Sequence, residues 1–372
     1  MSGSTLMMLG IKAMAANYAA LQTTGHNIAN ANVEGYSRQR AELSTAAGQY
    51  TGAGFFGKGV DVTTVTRAHD QFLTREASSA RSLASMDATR LALLQRMENI
   101  FQPGVNGLGH AATQLMDAMS DLSSHPADPA TRRVVLARAT DLAARFSEAG
   151  SALDLTQANA TADLRVMVTE VNALARSIAQ TNQKIAEVVG RGQPANDLLD
   201  ERDRLISQLS DKVQVTRMDA SDGTTAVFMA GGQRLVLGST AAELSVVQDA
   251  TDPRRAAVAL REGPLTRVLS ETEMGGGGIT GLLRFQNQDL VAGRNLIGQL
   301  AAAIGGAVNT QQMRGVNLQP PLGSVPSAAL FGIGAPEALA NTANARDGAG
   351  NLMASIQLTV TDPAALQASD YD

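Results

Sequence analysis

Between Met7 and Ile28 the apolar positions step by four and three along the chain: Met7, Ile11, Met14, Tyr18, Leu21, then Gly25 and Ile28. That spacing predicts a helix over residues 4–30 with a heptad seam. Its other faces carry Ala13, Ala15, Ala16, Ala19 and Ala20, and Lys12 is the only formally charged residue before Glu34. A surface helix needs a charged face to meet water. With none here, two readings stand: a helix buried in the core of a single chain, or an assembly helix that neighbouring subunits cover.

The pattern then changes. Asn30-Ala31-Asn32-Val33-Glu34-Gly35-Tyr36-Ser37 is turn-like, because Asn and Gly tolerate positive φ. Residues 38–67 read as extended, ending in β-branched Val60 to Val65, with the Gly-rich stretch 52–59 as a loop. A long helix is predicted from near Asp70, with Phe72, Leu83, Leu91, Leu94, Met97 and Phe101 on its apolar side, and Pro103-Gly104 stops it. A shorter helix is predicted around 108–122. The strongest helical signal follows: Val135, Ala139, Leu142, Phe146, Ala149 and Leu153, then Leu164, Val168, Val171, Ala175, Ile178, Asn182, Ile185 and Val189. The second run alone spans about 38 Å at the rise of an α-helix. Asn182 sits on the seam, either as a tolerated polar residue near a helix end or as a register-fixing contact.

Pro194 opens a further helix to about Ser210. From Asp211 to Leu269 strand-like runs alternate with turns, and Gly275–Gly278 reads as a four-glycine linker. Helix resumes over 279–314, and a second short-strand region is expected over 325–372. The fold class is therefore mainly α with inserted β-domains (α+β): a long-helix bundle, an N-terminal assembly helix and small antiparallel β-domains. The expected domains are 1–68 (assembly helix and extended segment), 69–210 with 279–315 (helical bundle), 211–270 (small β-domain) and 325–372 (an incomplete β-rich domain).

Composition narrows the chemistry. Aromatic residues make up 3% of the chain and Trp is absent, so few large anchors exist for a deep ligand pocket. A net charge of −5 argues against nucleic acid as a partner. With Cys 0, disulfides, thiolate metal sites and Cys nucleophiles are excluded together. No apolar run is long enough to insert into a membrane, and the N-terminus lacks the basic-then-apolar order of a cleavable signal. Gly52-Ala53-Gly54-Phe55-Phe56-Gly57 matches a dinucleotide-binding glycine pattern, but a strand-like run follows where a helix is required. Asp197, Asp200, Glu201 and Asp203 cluster on one short helix; with Arg202 and Arg204 among them, they read as a solvated or salt-bridged face. The four histidines, His26, His69, His110 and His125, are too far apart in sequence for a helical metal pair. No catalytic residue, cofactor or metal is expected.

Asn27-Ile28-Ala29-Asn30-Ala31-Asn32-Val33-Glu34-Gly35-Tyr36-Ser37-Arg38 resembles the N-terminal signature of bacterial flagellar axial proteins, the family of rod, hook and hook-associated subunits. Its Gly-Tyr-Ser-Arg-Gln ending is similar to the hook-associated branch at the hook–filament junction. Gly57 to Val62 with Arg67, Pro126 to Arg132, Asp197 to Asp203, Leu282 to Gly315 with Asn309, and Thr361 to Ala364 agree with the same family. The resemblance implies a structural subunit of the flagellum. It would be exported through the type III channel without a cleavable signal peptide and assembled as a ring of like subunits. Implied partners are the hook protein, the next junction protein or flagellin, and an export chaperone. The assembly interface is expected at Met7, Ile11, Met14, Tyr18, Leu21 and Ile28, with the signature turn at Asn27, Asn30, Asn32, Gly35, Tyr36 and Arg38. Family members continue further and end in a helix that pairs with the N-terminal one, so a chain stopping at Asp372 is expected to be a fragment. The alternative is a secreted coiled-coil adhesin or surface antigen, which explains the heptads but not the signature; a nucleotide-dependent enzyme rests on Gly52 to Gly57 alone.

Overall fold

The computed structural model describes residues 3–51, 54–101, 103–250, 252–263, 265–315 and 328–334. The chain divides into two compact units. Helix α4 (Pro129–Gly190) is continuous, with residues 129–161 in one unit and 162–190 in the other.

The first unit opens with α1 (Gly3–Ala29), followed by β1 (Gln39–Thr45), a hairpin of β2 (Gln49–Thr51) and β3 (Gly54–Phe56), and β4 (Val60–Arg67). β1 and β4 pair antiparallel from Gln39↔Arg67 to Thr45↔Val60, with an irregularity at Glu42/Leu43. The loop expected over 52–59 is in part strand: Gly54–Phe56 pairs with Gln49–Thr51, in keeping with the β-preference of Phe55, Phe56 and Tyr50. Helix α2 (Gln71–Glu98) follows, its N-terminus capped by Asp70 Oδ1, which accepts from the backbone N–H of Phe72 and Leu73. After α4 come α5 (Asn196–Lys212), a four-stranded meander of β5 (Val215–Asp219), β6 (Thr225–Met229), β7 (Arg234–Leu237) and β8 (Thr240–Ala241), and the three-stranded sheet β9 (Glu243–Gln248), β10 (Ala256–Glu262) and β11 (Leu265–Leu269), in the order β11-β10-β9. The unit ends with α6 (Glu271–Met274) and α7 (Gly278–Arg284), while residues 93–98 of α2 and residues 247–257 of β9 and β10 belong to the second unit.

The four glycines that lead into α7, the last of them its first residue, are not a linker. Gly275, with φ 73°, and Gly277, with φ 86°, take left-handed conformations. A Cβ on Gly277 would lie 2.4 Å from the Lys212 carbonyl carbon. Gly277 N donates to Ser82 O at 2.9 Å, and Gly276 O accepts from Gln214 N at 3.1 Å. Glycine is needed because three stretches of backbone meet there. Sequence composition alone cannot separate glycine that frees a chain from glycine that lets chains touch.

In the second unit α3 (Leu108–Ser124) packs Ala111, Leu115 and Ala118 against Val135, Ala139 and Leu142 of α4. Ile304 of α8 (Leu290–Arg314) and Leu330 and Phe331 close this cluster. A π-helical turn, Phe285–Asp289, leads into α8. Of the strand region expected over 325–372, only 328–334 lie among the described residues, and they are irregular; the remainder lies outside them.

The seam read from sequence on α4 is largely the buried one: Phe146 is half-buried and Val189, at the helix end, is exposed, while Val135, Ala139, Leu142, Ala149, Leu153, Leu164, Val168, Val171, Ala175, Ile178 and Ile185 are in the core. Asn182 is fully buried with them, and its role is neither a tolerated end nor a helix register pin. Its Oδ1 accepts from Thr225 N at 3.1 Å and its Nδ2 donates to Thr225 O at 2.8 Å, so a helix side chain supplies the hydrogen bonds of a missing strand. The same two-bond clamp recurs. Asn172 holds Leu244 at 2.8 Å and 2.8 Å, Gln286 holds Ala256 at 3.0 Å and 2.9 Å, and Asn309 holds Phe331 at 2.8 Å and 2.8 Å. Each satisfies a backbone N–H and C=O that burial would otherwise leave unpaired.

Candidate functional site

Helix α1 has two unlike faces. Lys12, Ala16, Ala19, Ala20, Thr23, Asn27 and Asn30 form the covered face, and only Ala16 is fully buried. This face lies on β1 and β4. Lys12 Nζ pairs with Asp61 Oδ1 at 2.7 Å, and Gly59, at φ 90°, brings its backbone against Leu9. At 100° per residue the seam predicted from sequence lies about 180° away. Met7, Ile11, Met14, Tyr18, Leu21 and Ile28 are exposed, Met14 to 73% and Ile28 to 72%. Small side chains point inward because a two-stranded sheet approaches the helix closely, leaving the large ones in water.

The chain leaves α1 through a turn held by side chains. Asn27 Oδ1 accepts from Gln39 N at 2.8 Å and from the Tyr36 hydroxyl at 2.7 Å, while its Nδ2 donates to Gln39 O at 2.9 Å. Asn27 thus continues the β1 ladder onto α1, a fifth clamp of the kind described above. Asn30 Nδ2 donates to His26 O at 2.9 Å, and the Tyr36 ring meets His26 edge-on at 5.6 Å. Gly35, at φ 82°, packs on the Arg204 stem. The turn was expected to use positive φ at asparagine as well; among the described residues only glycine adopts it. Asn27 and Asn30 act instead through their amides. Asn32 and Arg38 present exposed side chains, although Arg38 O accepts from Ala68 N at 2.7 Å.

Below the turn lies α5, whose acidic face is not solvated as a whole. Asp200 is buried: Oδ2 accepts from Ser37 N at 3.0 Å and Oδ1 from Arg67 Nη1 at 2.8 Å. Asp203 pairs with Arg67 at 2.7 Å and with Arg217 at 2.8 Å. Arg204 pairs with Glu201 at 2.6 Å, and buried Arg202 donates to Gly223 O at 2.7 Å. Exposed Asp197 accepts from Gln39 Nε2 at 3.1 Å, and Asn196 Nδ2 donates to Val65 O at 2.7 Å. Of the two readings of this face, solvated or salt-bridged, Asp200 and Asp203 follow the second, with Arg67 and Arg217, distant in sequence, as the partners. His69 stands beside it: its Nε2 accepts from Arg217 Nη2 at 2.9 Å, and its Nδ1 lies 3.7 Å from Asp203 Oδ2. Burial, with Arg67 and Arg217, holds the imidazole below its ordinary range. Burial, then Asp200 and Asp197, push the Tyr36 phenol up.

Chemically this site can anchor and orient α1. Asp200 and Asp203 are occupied by arginines, and the described residues hold no His, Cys, Asp and Glu group arranged for a metal. Gly54 to Phe56 leads into β4, not into the helix that a dinucleotide cradle requires. Sequence reading missed Arg67, His69, Arg217 and Asp61 as partners, and no periodicity marks them.

Comparison with known proteins gives a consistent set. Residues 94–328 match the family described as flagellar hook-associated protein FlgK helical domain, and residues 7–36 match the flagella basal body rod protein family. The chain is 33% identical to the flagellar hook-associated protein 1 of Escherichia coli (strain K12), covering 99% of this chain and 66% of that protein. It is 32% identical to that of Salmonella typhimurium, with the same 99% and 66% coverage. The fold is similar to the flagellar hook junction protein FlgK from Burkholderia pseudomallei, with a TM-score of 0.66 and 28% identity over 73% of this chain and 48% of that one.

Proposed function

Because the chain belongs to the FlgK family of flagellar hook-associated proteins, we propose that it is a structural subunit of the junction between hook and filament, joined to its neighbours through the exposed face of α1. It works by packing and not by catalysis. It lies in the flagellum, reached by type III export without a cleavable signal and with a chaperone's help, and it forms a ring of like subunits between hook protein and the next junction protein or flagellin.

The observation that carries this reading is the inversion of α1, with alanines inward and Met7, Ile11, Met14, Tyr18, Leu21 and Ile28 outward. Burying such side chains is worth roughly 1.5–3 kcal/mol each, a gain that the described residues of this chain leave unmade. Part of it is spent on the entropy of association. The anchor at Asn27, Tyr36 and Asp200 fixes the direction in which the helix is presented. The relatives compared above give the adhesin alternative no support.

The test is the pair Met14→Glu and Leu21→Glu in cells carrying this chain as the sole copy. Both positions are exposed, so the isolated protein keeps its Tm. The expected result is lost motility with filament subunits shed into the medium, and normal swimming overturns the reading. Gly35→Val and Tyr36→Ala give the same phenotype through loss of the anchor, accompanied by a lowered Tm.

A further inference from the structure

His69 lies within the ion cluster under the α1 turn, its side chain 15% exposed. Charged groups face it from three elements: Arg67 from β4, Arg217 from β5, and Asp200 and Asp203 from α5. Arg202 of α5 and Asp219 of β5, 4.0 Å apart, complete the cluster. The neighbour in sequence, Asp70, is engaged in capping α2. Three guanidinium groups thus meet three carboxylates, and the charges balance only while His69 is neutral. Arginine has no acceptor atom, so the 2.9 Å bond from Arg217 Nη2 requires a bare Nε2 and puts the ring hydrogen on Nδ1.

A further proton enters at Nε2, face to face with Arg217. The charged ring cannot accept from Arg217, and a fourth cation then stands among three carboxylates where little water screens it. One acceptor is at hand. Asp203 Oδ2 is buried and accepts no hydrogen bond from the described residues; it lies 2.7 Å from Arg67 Nη1 and 3.7 Å from His69 Nδ1. The charged ring is drawn toward that oxygen and away from Arg217, in competition with Arg67. Both residues that lead out of the turn depend on this place. Ser37 N donates to Asp200, which Arg67 holds, and Arg38 O accepts from the N–H of Ala68, the residue before His69. We propose that His69 is an acid-operated latch: its protonation frees the turn that carries α1 while the core of α4 stays folded. The latch is a property of the single chain and goes beyond the junction reading, so either can fail without the other. Above the ordinary 6.5 the neutral ring keeps the turn closed. Between 6.5 and the lower value that burial, with Arg67 and Arg217, gives the folded ring, opening gains about tenfold per pH unit.

Hydrogen–deuterium exchange of the whole chain, followed from neutral to mildly acidic pH, tests the latch. Residues 164–185 of α4 serve as the internal reference for the pH dependence of exchange itself. Residues 36–40 and 65–69 should lose protection relative to that reference, reversibly, at the midpoint shown by the His69 ring in nitrogen NMR, which at neutral pH should place the hydrogen on Nδ1. His69→Gln keeps an acceptor for Arg217 but cannot titrate, and it should abolish the loss. His26 also borders the turn, 3.9 Å from Asp197, and His26→Gln should leave the loss in place. If His69→Gln folds poorly, the agreement of the two midpoints in the unaltered chain decides alone. Loss of protection in the turn and α4 together, a response that survives His69→Gln or vanishes in His26→Gln, or a ring that titrates with the turn still closed overturns the proposal.

Discussion

At the scale of single residues, Asp200 ties the turn after α1 to β4. It is the acceptor shared by Arg67 and the backbone of Ser37. Asp200→Ala leaves Arg67 facing only Asp203 in a buried place, and breaking a buried pair costs about 3–5 kcal/mol. Denaturant unfolding should show that loss, with Tyr36→Phe costing only about 1 kcal/mol for one hydroxyl bond. His69 adds a pH dependence. Its folded pKa is lowered from the ordinary 6.5, so the native state favours the neutral ring. The unfolded chain binds the proton first as pH falls, and stability present above 6.5 is lost as pH drops below it toward the folded value. Comparing urea midpoints at neutral and mildly acidic pH should reveal this decline, and His69→Gln should flatten that part of it.

At the scale of elements, helices and sheets are joined through amide side chains that imitate a strand. Gln286 shows the cost of losing one. It lies in the π-helical turn, where its Oε1 accepts from both Gln157 and Ala256, and its Nε2 donates to Ala256 O. Gln286→Leu should cost about 1–3 kcal/mol, because the Ala256 amide is left buried without a partner. Helix α1 behaves differently. With Ala16 alone fully buried among its described side chains, its amides should exchange with deuterium well before those of α4 between Leu164 and Ile185, whose seam is in the core. Equal protection in the isolated chain would contradict the picture of a helix waiting for cover. The glycines before α7 are the third kind of junction: Gly277→Ala must give up a left-handed backbone and overlap Lys212, and backbone strain alone is worth about 1–3 kcal/mol.

At the scale of the whole molecule, the chain carries a net charge of −5, while the surface assigned to assembly carries almost none. Association through that surface should respond weakly to ionic strength and show a negative heat-capacity change in calorimetry, the mark of apolar burial. Strong weakening by salt would move the interface elsewhere. Much of this was readable in advance. Heptad steps marked the α4 seam, and the missing charge between Lys12 and Glu34 marked α1 as unusual, because periodicity and charge are local properties that a helix turns directly into faces. The sequence could not say which face of α1 lies inward, since alanine and methionine faces are both apolar and only the approach of β1 and β4 selects the smaller. Nor could it pair Asp200 with Arg67, Asn182 with Thr225, or Gly277 with Lys212 and Ser82. Those partners are far apart along the chain. A hydrogen bond, an ion pair or a close backbone contact depends on distances of a few ångströms, which only the folded arrangement brings about.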